Sequence, residues 1–431
     1  MNLLSKADTQ VVVRWRNAKG GDTRASEPIP LRAEQPATFM LDGLQPGQAY
    51  RYLLEDRSAG PKELRADCRL QTQRPAGERF TFTIQGDSHP ERPQMFDAGL
   101  YARTLQQVDA DRPDFHVCMG DDFSLNTLHD ITEQSVRSRY ELQLPFLGLV
   151  GQSAPLFLLN GNHEQASLFN YNQKGIPHDA AVWAQRARND LFPQPTPDGF
   201  YTGNATPLEG IGPMRNYFAW TWGDALFVVL DNYWHSPVCV DTQLREDDQK
   251  HRGRNRDWWG ITLGEAQYRW FRQTLESSRA RFKFVFAHHV LGTGRGGIER
   301  APYFEWGGKS NRGISEFGAQ RNGWTLPIHQ LMANNGVSLF FQGHDHLYAR
   351  QELDGVVYQT CPVPADPNYA IYNDDRYLTG VKHPNSGYLR VTVEPHQATV
   401  QYVRSYLEAD ESLNRKHGQI THEYTVQPRH S

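Results

Sequence analysis

The chain has 431 residues, of which 45 are lysine or arginine and 49 are aspartate or glutamate, so its formal net charge is only -4. This balance provides no field that would hold a long polyanion, so nucleic acid is not the expected partner. No stretch approaches the roughly 18 to 20 consecutive apolar residues that a membrane-spanning helix requires, and the amino terminus has no apolar signal region. A chain of this length favours two or more domains.

The first part of the chain, residues 1–76, is predicted to form a small all-β domain. Short strand-like runs separated by Gly- and Pro-containing turns, without helical periodicity, are typical of a β-sandwich. These runs cover residues 10–15, 37–41, 49–54 and 68–72. The segment 44–50, which ends in Tyr50, resembles the turn and tyrosine of fibronectin type III-like modules. We expect this domain to pack and orient rather than to bind a ligand.

The position of the first long strand bears on the compartment. The run 3–15 is similar to the second strand of such a sandwich and has too little chain before it for a first strand. If a secretion signal has been trimmed, the protein would be extracytoplasmic, either periplasmic or secreted. Otherwise it would be cytoplasmic, and both compartments stay open.

From residue 77 to residue 431 the pattern changes to alternating strands and helices, which indicates an α/β domain. Helices are expected at residues 97–109 and 131–150, near 180–191, and at 264–280, where Thr262 and Glu265 have capping-box spacing. The third of these lies in a long insertion rich in Asn, Pro and Gly, residues 166–214. Such an insertion is either a wall of the substrate pocket or a surface excursion.

Five apolar runs of this region each end in side chains that can bind a metal ion. In α/β sheets functional groups gather outside the carboxyl ends of the strands, so we expect the five ends to meet at one edge of a sheet. The side chains are Asp87 and His89, then Asp121, then Asn162 and His163, then His288, and finally His344 and His346.

The chemistry of this set predicts two adjacent metal ions. Carboxylate, amide and imidazole ligands without thiolate suit Zn, Mn, Fe or Co better than Ca. His344 and His346 alternate in extended chain and point to opposite sides, so each can serve one ion. Asp121 can bridge two cations roughly 3.5 to 4 Å apart, an arrangement that holds the attacking and leaving oxygens of a phosphoryl displacement. Hydrolysis of phosphate esters is the interpretation that follows.

The order of these motifs resembles the calcineurin-like metallophosphoesterase superfamily. With the amino-terminal domain, the chain resembles two-domain enzymes similar to purple acid phosphatases and alkaline phosphatase D. The motifs are Asp87-x-His89, Gly120-Asp121, Gly161-Asn162-His163-Glu164, His288 and Gly343-His344-Asp345-His346. The resemblance implies a four-layer α/β/β/α sandwich that binds two divalent or mixed-valence transition-metal ions.

The resemblance also implies a role for each residue. One ion would be held by Asp87, His89, Asp121 and His346, and the other by Asp121, Asn162, His288 and His344. His163 would be the non-ligand histidine near the leaving group, and His289 is the alternative to His288. Purple acid phosphatases carry a tyrosine ligand three residues after the bridging aspartate, where this chain has Ser124. We therefore do not expect a purple enzyme.

The expected reaction is attack of a metal-activated hydroxide on phosphorus, in line with the leaving group, on a small phosphorylated substrate. Phosphomonoesterase and phosphodiesterase action both remain open, as does the oligomeric state. One alternative is a dinuclear hydrolase of a non-phosphate ester or amide, and another is a catalytically idle adhesion or binding protein. Both are weaker, because the ligand series has no gap and its Asn162-His163-Glu164 run favours phosphoesters.

Several further residues receive provisional roles. Arg295, in the glycine-rich loop 292–297, would contact substrate oxygens. Trp306 and Trp324 either line the pocket or pack, and Asp231 is a turn or supporting residue. The strands after His346 should complete the second sheet, and the tail 408–431 should be peripheral.

Overall fold

The computed structural model describes residues 1–58, 60–164, 179–238, 240, 257–291 and 294–429, and of residues 66 and 67 it describes the backbone. The amino-terminal strands are β1 (Asn2–Leu3), β2 (Thr9–Asn17), β3 (Arg24–Ala25), β4 (Ile29–Leu31), β5 (Ala37–Thr38), β6 (Ala49–Asp56) and β7 (Lys62–Gln71). Among the helices that the structure describes, none combines the length and apolar composition needed to cross a bilayer.

Sixteen further strands follow in the described part of the chain. The first eight are β8 (Phe80–Gln85), β9 (Phe115–Cys118), β10 (Leu156–Leu158), β11 (Thr202–Gly203), β12 (Pro207–Leu208), β13 (Gly212–Pro213), β14 (Phe218–Trp222) and β15 (Ala225–Val229). The others are β16 (Phe282–Phe286), β17 (Leu339–Gln342), β18 (Tyr348–Leu353), β19 (Val356–Thr360), β20 (Val381–His383), β21 (Gly387–Glu394), β22 (Gln397–Arg404) and β23 (Ile420–Val426).

The described α-helices all lie after β8. They are α1 (Ala98–Ala110), α2 (Glu133–Glu141), α3 (Leu144–Gly151), α4 (Asp179–Leu191), α5 (Glu265–Ser277), α6 (Phe304–Gly307), α7 (Phe317–Gln320) and α8 (Ile328–Asn334). The expected helix near 180–191 is therefore present as α4, whereas residues 166–178 of the insertion lie outside the described part of the chain.

The amino-terminal strands form an all-β unit that fits the expected sandwich. A five-stranded antiparallel sheet has the order β3-β2-β6-β7 with β4 paired to β2, and β1 pairs with β5. Its core contains Val13, Trp15 and Tyr52. The backbone N–H of Gln45 donates to the Tyr50 hydroxyl over 2.9 Å. This bond ties the tyrosine to the turn before it, as the fibronectin-like resemblance implies.

Two large sheets form the rest of the molecule. The six-stranded sheet has the order β10-β9-β8-β21-β22-β23, with the first three strands parallel. The eight-stranded sheet has the order β11-β14-β15-β16-β17-β19-β18-β20, in which β15, β16, β17 and β19 run parallel. Their facing surfaces share one aromatic core, in which Phe82 of the first sheet contacts Phe227 and Phe284 of the second.

Helices cover the outer faces of both sheets. On the six-stranded sheet, Tyr101 and Leu105 of α1 pack with Tyr388. On the eight-stranded sheet, Phe271 and Leu275 of α5 pack with strand residues and α8. The order helix, sheet, sheet, helix confirms the predicted four-layer α/β/β/α sandwich, preceded by an all-β unit.

Four details differ from the expectations. Strands β21 and β22 join the six-stranded sheet rather than completing the second, because β21 pairs antiparallel with β8. The tail is not merely peripheral, since β23 pairs with β22. Segment 131–150 contains two helices, α2 and α3, rather than one. Thr262 does not cap α5: its hydroxyl donates to Glu305 over 2.6 Å, and Gly264 is the N-cap residue.

Candidate metal centre

The predicted ligands do converge, but from two sheets rather than one. Strands β8, β9 and β10 of the six-stranded sheet lead to Asp87, Asp121 and Asn162, whereas β16 and β17 of the eight-stranded sheet lead to His288 and His344. The expectation of one sheet edge is therefore wrong in this respect. The carboxyl ends of both parallel runs face a common cleft.

Glycines next to the ligands allow this close approach. A Cβ added to Gly161 would collide with the Asp121 carboxylate, and one added to Gly343 would collide with the Asp87 carboxylate. Any other residue would push these ligand loops apart, within the six-stranded sheet at Gly161 and between the two sheets at Gly343.

A first cluster joins Asp87, His89 and His346. One ligand atom from each lies within 4.8 Å of the others, and all three residues are buried. His346 Nε2 is 3.0 Å from Asp87 Oδ2, and His89 Nε2 is 4.0 Å from the same oxygen.

A second cluster joins Asp121, His288 and His344 with the same mutual spacing. His288 Nε2 is 3.1 Å from Asp121 Oδ2 and 3.2 Å from the amide oxygen of Asn162. Its Nδ1 donates to the Met119 carbonyl over 2.8 Å, which aims Nε2 into the cluster.

Asp121 belongs to the second cluster and, with His89 and His163, to a third group with the same mutual spacing. Its Oδ2 is 3.9 Å from His89 Nε2 of the first cluster and 3.1 Å from His288 Nε2 of the second. The backbone N–H of His163 donates to the other oxygen, Oδ1, over 2.8 Å. A carboxylate in this position can be shared by two cations.

The backbone at the site is held in a rarely populated conformation. Four candidate ligands, none of them glycine, have positive φ: His89 at 45°, Asp121 at 59°, His344 at 68° and His346 at 54°. Such residues cost roughly 1–3 kcal/mol each and cluster at functional sites. Here they turn the side chains at the strand ends towards one another.

The electrostatics favour the ionised forms of the two carboxylates. Burial would raise the pKa of Asp87, but His288 and the hydrogen-bonded His346 lower it to about 2. Burial also opposes ionisation of Asp121, yet His288 and His163 hold its pKa well below the usual range. Burial lowers the pKa of His344, which keeps that imidazole neutral. Burial acts the same way on His288, but Asp121 and Asp87 raise its pKa to about 10, so His288 carries the charge that pairs with them and would release a proton on binding a metal ion. Ionised carboxylates and neutral imidazoles are the forms that bind metal ions.

These residues fit divalent transition-metal ions. The His89 Nε2 atom is fully buried and has no hydrogen-bond partner within the described part of the chain. A buried polar atom of this kind is costly unless a partner such as a metal ion satisfies it. The donors are imidazole nitrogens and carboxylate oxygens, the ligand types that Zn, Mn, Fe and Co accept.

A buried carboxylate that received no role above supports the two ligand loops. Glu164 accepts backbone N–H groups from Gly161 over 2.5 Å, Asp121 over 3.1 Å and Asp122 over 2.7 Å. It therefore ties the loop after β10 to the loop after β9. Burial, reinforced by Asp121, raises the pKa of Glu164 to about 7. Glu164 lies two residues after the predicted ligand Asn162, and this proximity was the signal in the sequence that pointed to it.

Two further supports act on His89. Its Nδ1 atom lies 3.2 Å from the Ser124 hydroxyl and 3.3 Å from a Glu91 carboxylate oxygen. Ser124, at the position of the missing tyrosine, is thus placed beside the imidazole. Glu91 provides the carboxylate that commonly orients a metal-binding histidine. Nothing in the sequence spacing pointed to Glu91.

His163 is surrounded by groups that the sequence did not reveal. Its Nδ1 lies 2.8 Å from the Asn126 side-chain oxygen, and the Arg92 guanidinium Nη2 lies 3.0 Å from each ring nitrogen. His163 Nε2 is 3.9 Å from Asp121 Oδ2. Burial lowers its pKa to about 3. His163 thus lies beside His89 and Asp121, close enough for the three side chains to contact one ion.

The residues with provisional roles fall into three groups. Arg295 Nη1 donates to the His344 carbonyl over 2.5 Å and to Asp345 over 3.1 Å, so it lies at the site, although residues 292 and 293 of its loop are outside the described part of the chain. Trp306 and Trp324 pack in the core, the latter stacked 3.7 Å from Tyr268. Asp231 accepts backbone N–H groups in its own turn, as expected.

His289 lies beside the second cluster, with its ring centroid 4.8 Å from that of His344. It is not a member of either cluster within the described part of the chain. His288 therefore remains the preferred ligand of the pair.

Two surface clefts lie elsewhere. One, of about 550 Å³, is lined by Arg279, Arg281, His396 and Arg429 among others, and the other, of about 560 Å³, lies beside it along Trp220 and Ser278. Neither contains a candidate ligand. The chemistry of the side chains, rather than the size of a cleft, identifies the functional site.

A four-layer sandwich whose strand ends carry paired clusters of histidine and carboxylate defines a class of metal-dependent hydrolase. The model of the calcineurin-like phosphoesterase family matches residues 80–348, more than half of the chain. The chain belongs to this family, and it is accordingly a metal-dependent phosphoester hydrolase.

Solved structures share the same fold. One of PhoD matches with a TM-score of 0.62 at 15% sequence identity, covering 99% of this chain and 85% of that chain. Purple acid phosphatase PPD1 from yellow lupin (Lupinus luteus) seeds matches with a TM-score of 0.56 at 14% identity, covering 99% of this chain and 71% of that chain. At these identities the similarity concerns the fold. A search of curated proteins found no match.

Proposed function

We propose that the protein hydrolyses phosphate esters at a centre for two divalent or mixed-valence ions of Zn, Mn, Fe or Co that share Asp121. The observation that carries this proposal is the position of the Asp121 carboxylate, whose Oδ2 atom lies 3.9 Å from His89 Nε2 and 3.1 Å from His288 Nε2. A bridging carboxylate between two imidazole-bearing clusters is what a two-ion phosphoesterase requires.

The proposed ligand sets follow the two clusters. Asp87, His89, Asp121 and His346 would hold one ion, and Asp121, Asn162, His288 and His344 would hold the other. When bound, such ions supply Lewis-acid stabilisation of phosphoryl oxygens and activate water for attack. The contacts between Asp87 and His346 and between Asp121 and His288 preorganise both sets.

The protein's own side chains would position the substrate and its leaving group. His163 lies beside Asp121 with a small exposed fraction, 11% of its side chain, so it can face a bound ester. We assign it the stabilisation or protonation of the leaving oxygen as phosphorus is attacked in line from the opposite side. The Asn126 side-chain oxygen, 2.8 Å from Nδ1, holds the orientation of its ring.

Arg295 is proposed to assist at the opposite end of the site. Its side chain is 40% exposed while Nη1 is held by the His344 carbonyl and Asp345. The remaining donors of the guanidinium fork can reach a phosphoryl oxygen. The anchoring contacts would keep that fork beside His344.

We also propose that function divides along the chain at residue 76. Residues 1–76 would form the supporting fibronectin type III-like domain, and residues 77–431 the catalytic domain. The described strands up to β7 pair only with one another, and those from β8 onward likewise. Arg74 binds Asp114 over 2.7 Å, which would fix the junction on the catalytic domain.

The test is a paired assay of the metal-analysed protein on p-nitrophenyl phosphate and bis-p-nitrophenyl phosphate, with and without added Mn²⁺ or Zn²⁺. We expect metal-dependent turnover that a chelator abolishes. Faster turnover of the monoester would indicate a phosphatase, and faster turnover of the diester a phosphodiesterase. Absence of bound metal, or turnover that does not depend on metal, would overturn the proposal. Bound metal without turnover of either ester would favour a hydrolase of another ester or amide.

A further inference from the structure

The side chains of the metal centre differ in exposure, and the difference shows where the site opens. Asp87, Asp121, His89 and His288 are at most 1% exposed. On one side exposure rises to 10% at His346 and 11% at His163. These two rings lie 5.2 and 5.3 Å from that of His89. The first cluster therefore opens towards solvent on the side of His163 and His346.

Arg92 lies at this opening. Its side chain is 24% exposed, more than either histidine, and its Nη2 atom lies 3.0 Å from both ring nitrogens of His163. An atom at equal distance from both nitrogens lies over the ring, since in the ring plane it would collide with Cε1. The guanidinium thus lies over His163 at the mouth of the site.

Contacts hold Arg92 in this position. Its Nε atom is 3.3 Å from Glu91 Oε1, the same carboxylate oxygen that lies 3.3 Å from His89 Nδ1. A guanidinium has five N–H donors, more than these contacts engage. The mouth thus presents an anchored guanidinium cation.

We propose that Arg92 is a substrate-binding residue that selects phosphomonoester dianions over phosphodiesters, an inference that rests on the function proposed above. A monoester carries a charge of about -1.5 to -2 at pH 7 and three non-bridging oxygens. Two of these oxygens can face the metal centre, which leaves the third for the guanidinium. In a diester this third oxygen carries a second substituent. It has no negative charge to pair with Arg92, and its substituent would meet the Arg92 side chain.

The inference assigns Arg92 and Arg295 different tasks. Arg295 Nη1 is bound to the His344 carbonyl and to Asp345, an anionic partner that already balances its charge. Arg92 shares its acidic neighbour, Glu91, with the imidazole of His89. The unbalanced part of the positive charge lies on the Arg92 side, where the leaving-group histidine is.

The test compares Arg92→Ala and Arg92→Lys with Arg103→Ala. Arg103 is a matched control, a partly exposed arginine on α1 that pairs with Glu411 over 2.8 Å, away from the site. For each protein, loaded with Mn²⁺ or Zn²⁺ and analysed for metal, we would measure kcat/KM on p-nitrophenyl phosphate and on bis-p-nitrophenyl phosphate. Calorimetry would give the affinity for inorganic phosphate.

We expect Arg92→Ala to lower kcat/KM for the monoester, and the affinity for phosphate, by about 10- to 100-fold. This is the effect of losing one hydrogen bond to a charged group. The diester value should not fall and should rise if the side chain obstructs the second substituent, with full metal content. Arg92→Lys should recover part of the loss, since lysine keeps the charge but not the fork. Arg103→Ala should match the wild type.

Other results overturn the inference. Equal losses on both esters would mean that Arg92 acts through His163, and loss of metal would mean that it only supports His89. If the wild type turns over neither ester, the proposed function fails independently of Arg92. The affinity for phosphate then tests the inference: a lower affinity in Arg92→Ala supports anion binding by Arg92, and an unchanged affinity contradicts it. If Arg92→Ala does not fold, the same comparison is made with Arg92→Lys.

Discussion

The two large sheets contribute different chemistry to one site. The six-stranded sheet supplies all the candidate oxygen ligands, Asp87, Asp121 and Asn162, at the ends of β8, β9 and β10. The eight-stranded sheet supplies only imidazoles, from His288, His344 and His346. The contacts run across the gap: Asp87 Oδ2 to His346 Nε2 at 3.0 Å and Asp121 Oδ2 to His288 Nε2 at 3.1 Å.

This difference shows what each sheet supplies to the other. Two buried carboxylates without neighbouring cations would be costly, because desolvation raises their pKa. Imidazoles from the opposite sheet keep them ionised. We infer that bound metal ions join the two sheets at the cleft, so that loss of a carboxylate and loss of a histidine should have distinguishable consequences.

The largest effect is expected from the shared carboxylate. Asp121→Ala should lose metal from both positions, and Asp121→Asn should weaken it strongly, because neither side chain can bridge two cations. Turnover should fall by more than the roughly 10²- to 10³-fold that follows removal of one oxyanion-hole donor. Metal analysis and steady-state kinetics measure this, with exposed Asp130→Asn as control. Full metal content in Asp121→Ala would contradict the shared-ligand assignment.

The next effect concerns a residue beside the metals that is not proposed to bind them. His163→Ala should lower kcat by about 10²- to 10⁴-fold, the range of general acid–base catalysis, while metal content stays intact. The control is His129→Ala, whose side chain is 97% exposed. Loss of metal along with turnover would show that His163 is a ligand instead.

A smaller effect should follow from the support of His89. Glu91→Gln replaces the carboxylate near His89 Nδ1 by a neutral amide, and changes of this kind typically cost 10- to 100-fold in metal affinity or activity. Titration of the metal-free protein with Zn²⁺ measures the change. Glu411→Gln, at a surface ion pair with Arg103, should leave the affinity unchanged. Equal affinities in both variants would remove Glu91 from the site.

The smallest effect tests the six-stranded sheet away from the metals. His116 in β9 is fully buried, and burial lowers its pKa from 6.5 to about 3. As pH falls below about 6.5, His116 becomes protonated in the unfolded chain but stays neutral in the folded chain. The free energy of unfolding therefore decreases with falling pH. At pH 5.5 this residue should cost about 1.4 kcal/mol. Urea unfolding of wild type and His116→Gln at pH 7.5 and 5.5 should show a shallower pH dependence in the variant; identical slopes would refute the assignment.

Part of the site was predictable because its signal is local. A buried strand that ends in a polar group places that group at the carboxyl edge, and Asp87, Asp121, Asn162, His288 and His344 all follow such runs, all but His288 directly after a glycine. The amino-terminal turn was predictable for the same reason, since Tyr50 lies five residues from its partner Gln45.

Other parts were not predictable, because their contacts join distant residues. Ser124 meets His89 across 35 positions, and Arg92 meets His163 across 71. Neither spacing is a motif. The pairing of β21 with β8 joins residues more than 300 positions apart, so the pattern of each strand fits either sheet equally well.

The sequence by itself determined the fold class, the succession of strands along the chain and the identity of the candidate ligands, because burial and turn chemistry depend on short runs of residues. Only the tertiary structure decided that the ligands come from two sheets, that Glu91 and Ser124 flank His89, and that Arg92 lies at the mouth. These features depend on how the two sheets pack and which loops meet at their ends. Packing and loop contacts are non-local, and no single segment of the chain encodes them.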